Sequence, residues 1–255
     1  MSLYLHPNMQ KKIRVGAVSY LNTKPLIYGF EQGQMAHQIE LILDYPAALA
    51  SLLQKDKLDI ALLPVASMRN IPDSHVISDY CIAADKEVAS VCLFSHVPIE
   101  EIQEVYLDYQ SKTSVALFRI LMRDYWHIRP MLLEAESDYI DQIKGKTAGI
   151  IIGDRALEQR TNFPFVYDLA EAWHSHTQLP FVFATWVSAK PLSDEFINDF
   201  NAANAIGLSH LDEIIEANKD FHYNLKEYYT QNISYTFTKE RESGMQLFQR
   251  MLESL

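Results

Sequence analysis

Two cysteines in 255 residues, Cys81 and Cys92, leave no disulfide framework and no thiolate metal cluster to argue from. Both stand in apolar, strand-like surroundings and read as reduced core thiols. Long hydrophobic runs are also missing. No stretch reaches about 18 apolar residues, so no membrane-spanning helix is expected. Basic residues are in deficit, 22 Lys and Arg against 33 Asp and Glu, and the net charge of −11 excludes the basic face that nucleic-acid binding needs. It does not exclude an anionic ligand, because helix N-termini and a few side chains can make a pocket locally favourable. Glycine is scarce, and no Gly-rich phosphate loop, G-x-S-x-G elbow or Cys/His nucleophile pair occurs. The N-terminal apolar run is too short for a signal peptide, and its lysines follow the run instead of preceding it. A cytoplasmic location is therefore expected.

What is present is a core-forming composition, 48% hydrophobic, with no repeat and no low-complexity tract. Short apolar runs alternate with amphipathic segments. Ile13 to Val18, Ile39 to Leu43 and Leu58 to Leu63 read as strands, and Pro46 to Gln54 as a helix with Leu49, Leu52 and Leu53 on one face. This rhythm predicts a parallel sheet covered by helices. Val76 to Ala84 and Val88 to Ser95 read as longer strands. A second α/β unit follows, with strands at 105–107, 147–152 and 181–187 and helices at 114–125 and 169–174. Beyond Ser193 the chain reads as helical, over 193–206, 209–218, 221–230 and 239–255. Two α/β units predict a bilobal α/β protein with a ligand cleft between the lobes.

The first strand runs into Ser19-Tyr20-Leu21-Asn22-Thr23-Lys24-Pro25, and ligands in open α/β sheets bind beyond the carboxyl ends of strands. Asn22 and Thr23 can cap the following helix or offer their side chains to a ligand. Ser111, Thr113 and Ser114 surround another helix start, where free N–H groups suit a carboxylate. Gly153 and Asp154 follow the strand at 147–152. Glycine permits close backbone approach, while Asp154 either caps a helix or holds a substrate hydroxyl. Arg155 reads as surface charge. His174 and His176 are roughly 200° apart on a helix, so they do not converge on one metal ion. No metal and no cofactor is expected.

The blocks "VSYLNTKPL" at 18–26, "SVCLFSHVPIEEIQEVYLDYQSKTSVAL" at 90–117, "IIGDRAL" at 151–157 and "YDLAEAWHSHTQLPFVFATWV" at 167–187 resemble, in this order, the chorismate dehydratases of menaquinone biosynthesis. The stretch at 233–252 matches more weakly. The resemblance implies a fold like the type II periplasmic binding proteins, with the chain crossing between lobes near 93–97 and 187–191. Lobe 1 would then hold 1–94 and 191–255, and lobe 2 95–190. It also implies catalytic roles for Asn22 and Ser90. An isolated Ser in a strand is ordinarily only a tolerated polar residue. Asn22 would orient the ring and its hydroxyl, Ser90 would assist the departing oxygen, and the 111–114 turn would anchor a carboxylate. Ser19, Tyr20, Thr23, Gly153 and Asp154 complete the expected substrate contacts. The implied reaction turns chorismate, the small-molecule partner, into 3-[(1-carboxyvinyl)oxy]benzoate and water on the futalosine route. Two rivals are a non-catalytic solute-binding protein and the sister dihydroxynaphthoate synthase. The first usually carries an export signal. The second has a Ser-Pro-Cys-Pro-Asn-Asp-Thr-like opening where this chain has Ser-Tyr-Leu-Asn-Thr. Nothing in the sequence fixes an oligomeric state.

Overall fold

A computed structural model describes residues 12–255. The N-terminal stretch 1–11, which bears on the reading against a signal peptide, lies outside the described residues. Strand β1 (Ile13–Ala17) is followed by α1 (Lys24–Glu31), β2 (Ile39–Leu43), α2 (Pro46–Gln54) and β3 (Ile60–Pro64). The three strands are parallel, with β1 between the other two. Both helices carry proline within their first two positions, where its missing N–H leaves no bond unmade. After β4 (His75–Ala84) the chain leaves this sheet.

The second sheet is built from β5 (Val91–Ser95), β6 (Glu104–Leu107), β7 (Met131–Glu134), β8 (Thr147–Ile152) and β9 (Phe165–Asp168), in the order β7-β6-β8-β5-β9. It carries α3 (Lys112–Asp124), α4 (Asp154–Gln159) and α5 (Leu169–Thr177). Strand β10 (Phe181–Ser188) then returns to the first sheet. The chain closes with α6 (Asp194–Ser209), α7 (Leu211–Glu216), α8 (Leu225–Glu227), a π-helical turn at Tyr228–Asn232, β11 (Ser234–Thr236) and α9 (Lys239–Leu252). The first sheet has the order β11-β4-β10-β3-β1-β2.

The expected parallel arrangement holds for β1 to β3 and for β6 with β7 and β8. β10 is antiparallel to β3 and β4, and β5 to β8 and β9. Both strands enter their sheet from the other half of the molecule, so no same-sheet crossover dictates their direction. The pairing also bears on the lobe limits. β5 bonds to strands of the second sheet and β10 to strands of the first, so the chain changes sheets over 85–90 and again over 178–180. The sequence reading put these breaks later, at 94 and 190. We propose lobe limits that follow the sheets, 12–84 with 181–255, and 91–177.

The first sheet's core is closed by α1 and α6. Trp186 meets Phe200 edge-on at 5.0 Å, Phe30 meets Phe200 at 5.0 Å, and the Trp186 indole N–H donates to Asn204 at 2.8 Å. The helices touch backbone to backbone. A Cβ at Gly29 would meet the Ala203 carbonyl oxygen, and one at Gly207 that of Pro25. This close seam fixes where α1 begins, and with it Asn22. Cys81 and Cys92 are both buried and unbonded to each other, and burial pushes the Cys81 thiol up to about 12.

Candidate functional site

Between the two sheets lies a cavity of about 70 Å³. Val18, Leu62, Pro64, Ile82, Ile152 and Phe183 supply apolar walls, and Tyr20, Asn22, Gln110, Ser111, Thr113 and Gly153 supply polar groups. No charged side chain lines it among the described residues. An open surface hollow of about 520 Å³ beside Arg119, Arg123 and Arg129 contains none of the residues singled out by sequence.

Each polar group has a local reason for its position. After β1 the chain makes a 3-10 turn, Leu21–Thr23, before α1. Neither that turn nor α1 receives a side-chain cap, so the Asn22 amide is not used for capping. Its Oδ1 has only a long contact, 3.4 Å, from the Thr23 hydroxyl. Its backbone carbonyl accepts from the Tyr235 hydroxyl at 3.1 Å. At the other lobe, Ser111 caps α3 by accepting from the Ser114 N–H at 3.1 Å, and the two hydroxyls lie 2.9 Å apart. Helix α3 therefore starts at Lys112, earlier than the sequence reading placed it. Gly153 takes φ 65°, ψ −148°, a region essentially closed to side chains, and its N–H donates to the Ser90 carbonyl at 2.7 Å. Since a Cβ there would meet nothing within 4 Å, the cost of Gly153→Ala is conformational alone. It is expected to be about 1–3 kcal/mol, read as a lowered denaturation midpoint.

Three hydrogen bonds cross between the sheets' halves at the cavity rim. Tyr20 Oη donates to Gln110 Oε1 at 3.1 Å, the Leu21 N–H to Asp154 Oδ1 at 3.2 Å, and the Ala66 N–H to Thr113 Oγ1 at 3.1 Å. Burial raises the Asp154 carboxyl against the opposing pull of the Leu21 N–H and Lys24. Burial, with Asp108 adding to it, pushes the Tyr20 phenol up to about 12.

Of the sequence candidates, Asn22, Tyr20, Ser111, Thr113 and Gly153 meet at the cavity. Thr23 and Ser114 are buried beside it, Asp154 spends an oxygen on Leu21, and Ser19 is solvent-exposed. Ser90 is fully buried behind the wall, in a bend preceding β5 and not within a strand. Its Oγ accepts from the Tyr228 hydroxyl at 2.9 Å, and the Asn22 side chain is another polar neighbour of that phenol. Burial raises the phenol far above its ordinary range, so Tyr228 stays neutral and acts as the donor of this pair.

Sequence reasoning missed three residues. Tyr228 stands at the head of the π-helical turn, a distortion frequent at functional sites, inside a stretch that reads as an ordinary helix. Gln110 lies one residue before the turn that the sequence did single out. Arg155 is not idle surface charge. It pairs with buried Asp108 at 2.7 Å and lies 5.3 Å above the Tyr109 ring. Asp108 in turn accepts from the Gln110 N–H at 2.7 Å, fixing the loop into Ser111. His174 and His176 diverge as their spacing implies. The His176 ring packs on Tyr125 at 5.7 Å, while His174 Nδ1 is buried with no partner among the described residues. Among those residues no group of three His, Cys, Asp or Glu side chains could hold a metal, and no helix is long and apolar enough to cross a membrane.

The profile of a family described as menaquinone biosynthesis matches residues 13–254. Chorismate dehydratase of Thermus thermophilus is 25% identical over 263 residues, covering 93% of this chain and 94% of that protein. Chorismate dehydratase of Campylobacter jejuni is 28% identical over 192 residues, 72% of each chain. Among solved structures, a protein from Archaeoglobus fulgidus superposes with TM-score 0.72 at 14% identity, covering 98% of both chains. The periplasmic aliphatic sulphonate binding protein of Escherichia coli superposes with TM-score 0.63 at 14% identity, covering 96% of this chain and 92% of that one. The fold is that of the periplasmic binding proteins.

Proposed function

This chain belongs to the menaquinone-biosynthesis family, and on that premise we propose that it is a hydro-lyase that dehydrates chorismate to 3-[(1-carboxyvinyl)oxy]benzoate. The observation that carries the reading is the uncharged cavity, in which apolar walls are studded with amide and hydroxyl groups from both lobes. Such a site can sandwich a six-membered ring and fix its oxygen substituents without a strong protein base. The reaction breaks the C4–O bond and removes the C3 proton. Aromatisation supplies the driving force, so the protein's task is positioning and electrostatic support of the departing oxygen. In this reading Asn22 orients the ring and its hydroxyl. Ser90, held by Tyr228 behind the wall of this closed arrangement, hydrogen-bonds the leaving oxygen once the wall opens and keeps its proton overall, and the Ser111–Ser114 turn holds a carboxylate. The enolpyruvyl carboxylate of chorismate takes the C3 proton and passes it to the departing hydroxyl, which leaves as water. A cytoplasmic location accords with a soluble biosynthetic substrate.

The three rim hydrogen bonds hold the lobes together, so entry of a chorismate-sized molecule requires them to part. The second reading is a binding protein of the same fold that holds a carboxylate without changing it. Purified protein mixed with chorismate alone separates the two. A new aromatic ultraviolet band, with a product lighter by one water in mass spectrometry, supports the dehydratase. Saturable binding of unchanged chorismate supports the binding protein. If the substrate is its own base, Asp154→Asn retains measurable dehydration, its defect lying mostly in KM. Complete loss of turnover with tight chorismate binding would assign the proton to Asp154.

A further inference from the structure

Ser90 owes its position to no helix or strand. It ends the 85–90 crossing from one sheet to the other, and the residue before it, Ala89, has φ 62°. Side chains disfavour that left-handed region, so an alanine stays there only when its surroundings hold it. Here the backbone of 88–90 is fully engaged. The Val88 N–H lies 3.1 Å and the Ala89 N–H 2.7 Å from Asp168 Oδ2. The Val88 carbonyl accepts from the Ser90 N–H at 2.8 Å, and the Ala89 carbonyl from Arg160 at 3.1 Å and the Cys92 thiol at 3.4 Å. The Ser90 carbonyl accepts from the Gly153 N–H. Arg160 is itself paired with Glu87.

The two oxygens of Asp168 divide most of their work. Oδ1 caps α5 through the Ala170 and Glu171 N–H groups, at 3.0 and 3.1 Å, and shares the Val88 N–H at 3.2 Å. Oδ2 faces the crossing, takes the other half of the Val88 N–H and alone takes the Ala89 N–H, with Cys92 Sγ 3.6 Å away. We infer that Asp168 is a positioning residue for the reaction, locking Ala89 in its left-handed conformation and so setting the Ser90 hydroxyl against Tyr228. This rests on the reading of Ser90 as the hydroxyl that serves the leaving oxygen. Burial raises the Asp168 carboxyl to about 6, while the Glu171, Val88 and Ala89 N–H groups pull the other way and favour its ionised, accepting form. Neither local sequence nor a direct substrate contact would single it out.

The test is Asp168→Asn. The amide oxygen can still cap α5 and keep the Val88 N–H, but the amide N–H₂ then meets the Ala89 N–H donor to donor. We expect kcat to fall about tenfold or more with KM within about twofold, as misplacement of a reacting group does. Adding Ala89→Gly, which reaches φ 62° without help, should restore most of the loss. In a Ser90→Ala background Asp168→Asn should cost nothing further. If Asp168→Asn does not fold, Asp168→Ser, which also caps α5, replaces it. A loss that persists unchanged in the Ser90→Ala background, or that Ala89→Gly fails to relieve, overturns the proposal. A readout without turnover separates this from failure of the dehydratase reading. Amide hydrogen exchange over 86–91 should quicken at least about tenfold in the variant while 169–177 stays protected. Unchanged exchange over 86–91 overturns the inference whether or not the wild type turns over chorismate.

Discussion

Asn22→Ala is expected to lower kcat for chorismate by about two orders of magnitude, with KM little changed and the fold intact. The split follows from what the amide does and does not do. It caps neither the 3-10 turn nor α1, and its side chain has no hydrogen bond shorter than 3.4 Å among those described. Its backbone is held independently, through the Tyr235 hydroxyl. Truncation loses only the long Thr23 contact and the polar approach to the buried Tyr228 phenol, so it should cost no more than about 1 kcal/mol of stability. Yet the residue lines the cavity, and its amide can donate twice there. A preorganised donor lost from a water-poor site costs far more in the transition state than in the folded ground state. Turnover by product absorbance, beside thermal denaturation of the same protein, checks both halves. Near-normal kcat would remove Asn22 from the chemistry. A large fall in melting temperature would make it a structural residue after all.

The parts of this site that were legible in the sequence are those whose cause is local. The β1–Asn22–α1 junction is announced by an apolar run, a polar loop and Pro25. Ser111 sits before a helix as a capping residue does, and Gly153 follows a buried strand. What was not legible depends on partners far along the chain. The alternation of Val88, Ser90 and Cys92 reads as a strand, but Asp168, about eighty residues on, draws the Val88 and Ala89 N–H groups out of any ladder. Arg155 reads as surface because its partner Asp108 lies on a different loop. Tyr228 sits in a π-helical turn that carries no sequence signature. The strands β7, β9 and β11 have three or four residues each, too few for a period of two to emerge. The lobe limits we propose from strand pairing depart from those read in the sequence for the same reason. Nothing local distinguishes a strand that pairs within its own unit from one that pairs across.

Gly207→Ala should destabilise the protein by about 3 kcal/mol or more, although helix propensity alone predicts a gain of about 1 kcal/mol. Gly207 lies in α6, and its missing side chain is what lets that helix touch α1. An added Cβ would overlap the Pro25 carbonyl oxygen and lie 2.9 Å from the Tyr28 Cβ. Neither obstacle can swing aside, because one is backbone and the other is the root of a side chain. The helices would have to part, loosening Phe30 and Phe200 from Trp186 beneath them. Because Pro25 opens α1 only three residues after Asn22, any protein that survives should carry Asn22 displaced from the cavity. Chemical denaturation measures the first effect, and kcat of the folded fraction the second. The two effects have opposite signs, so the experiment discriminates sharply. A raised denaturation midpoint would mean that propensity outweighs contact and that the α1–α6 seam can widen freely. The observed backbone contact argues that it cannot, and that the same glycine which closes the core also sets the reach of the Asn22 amide.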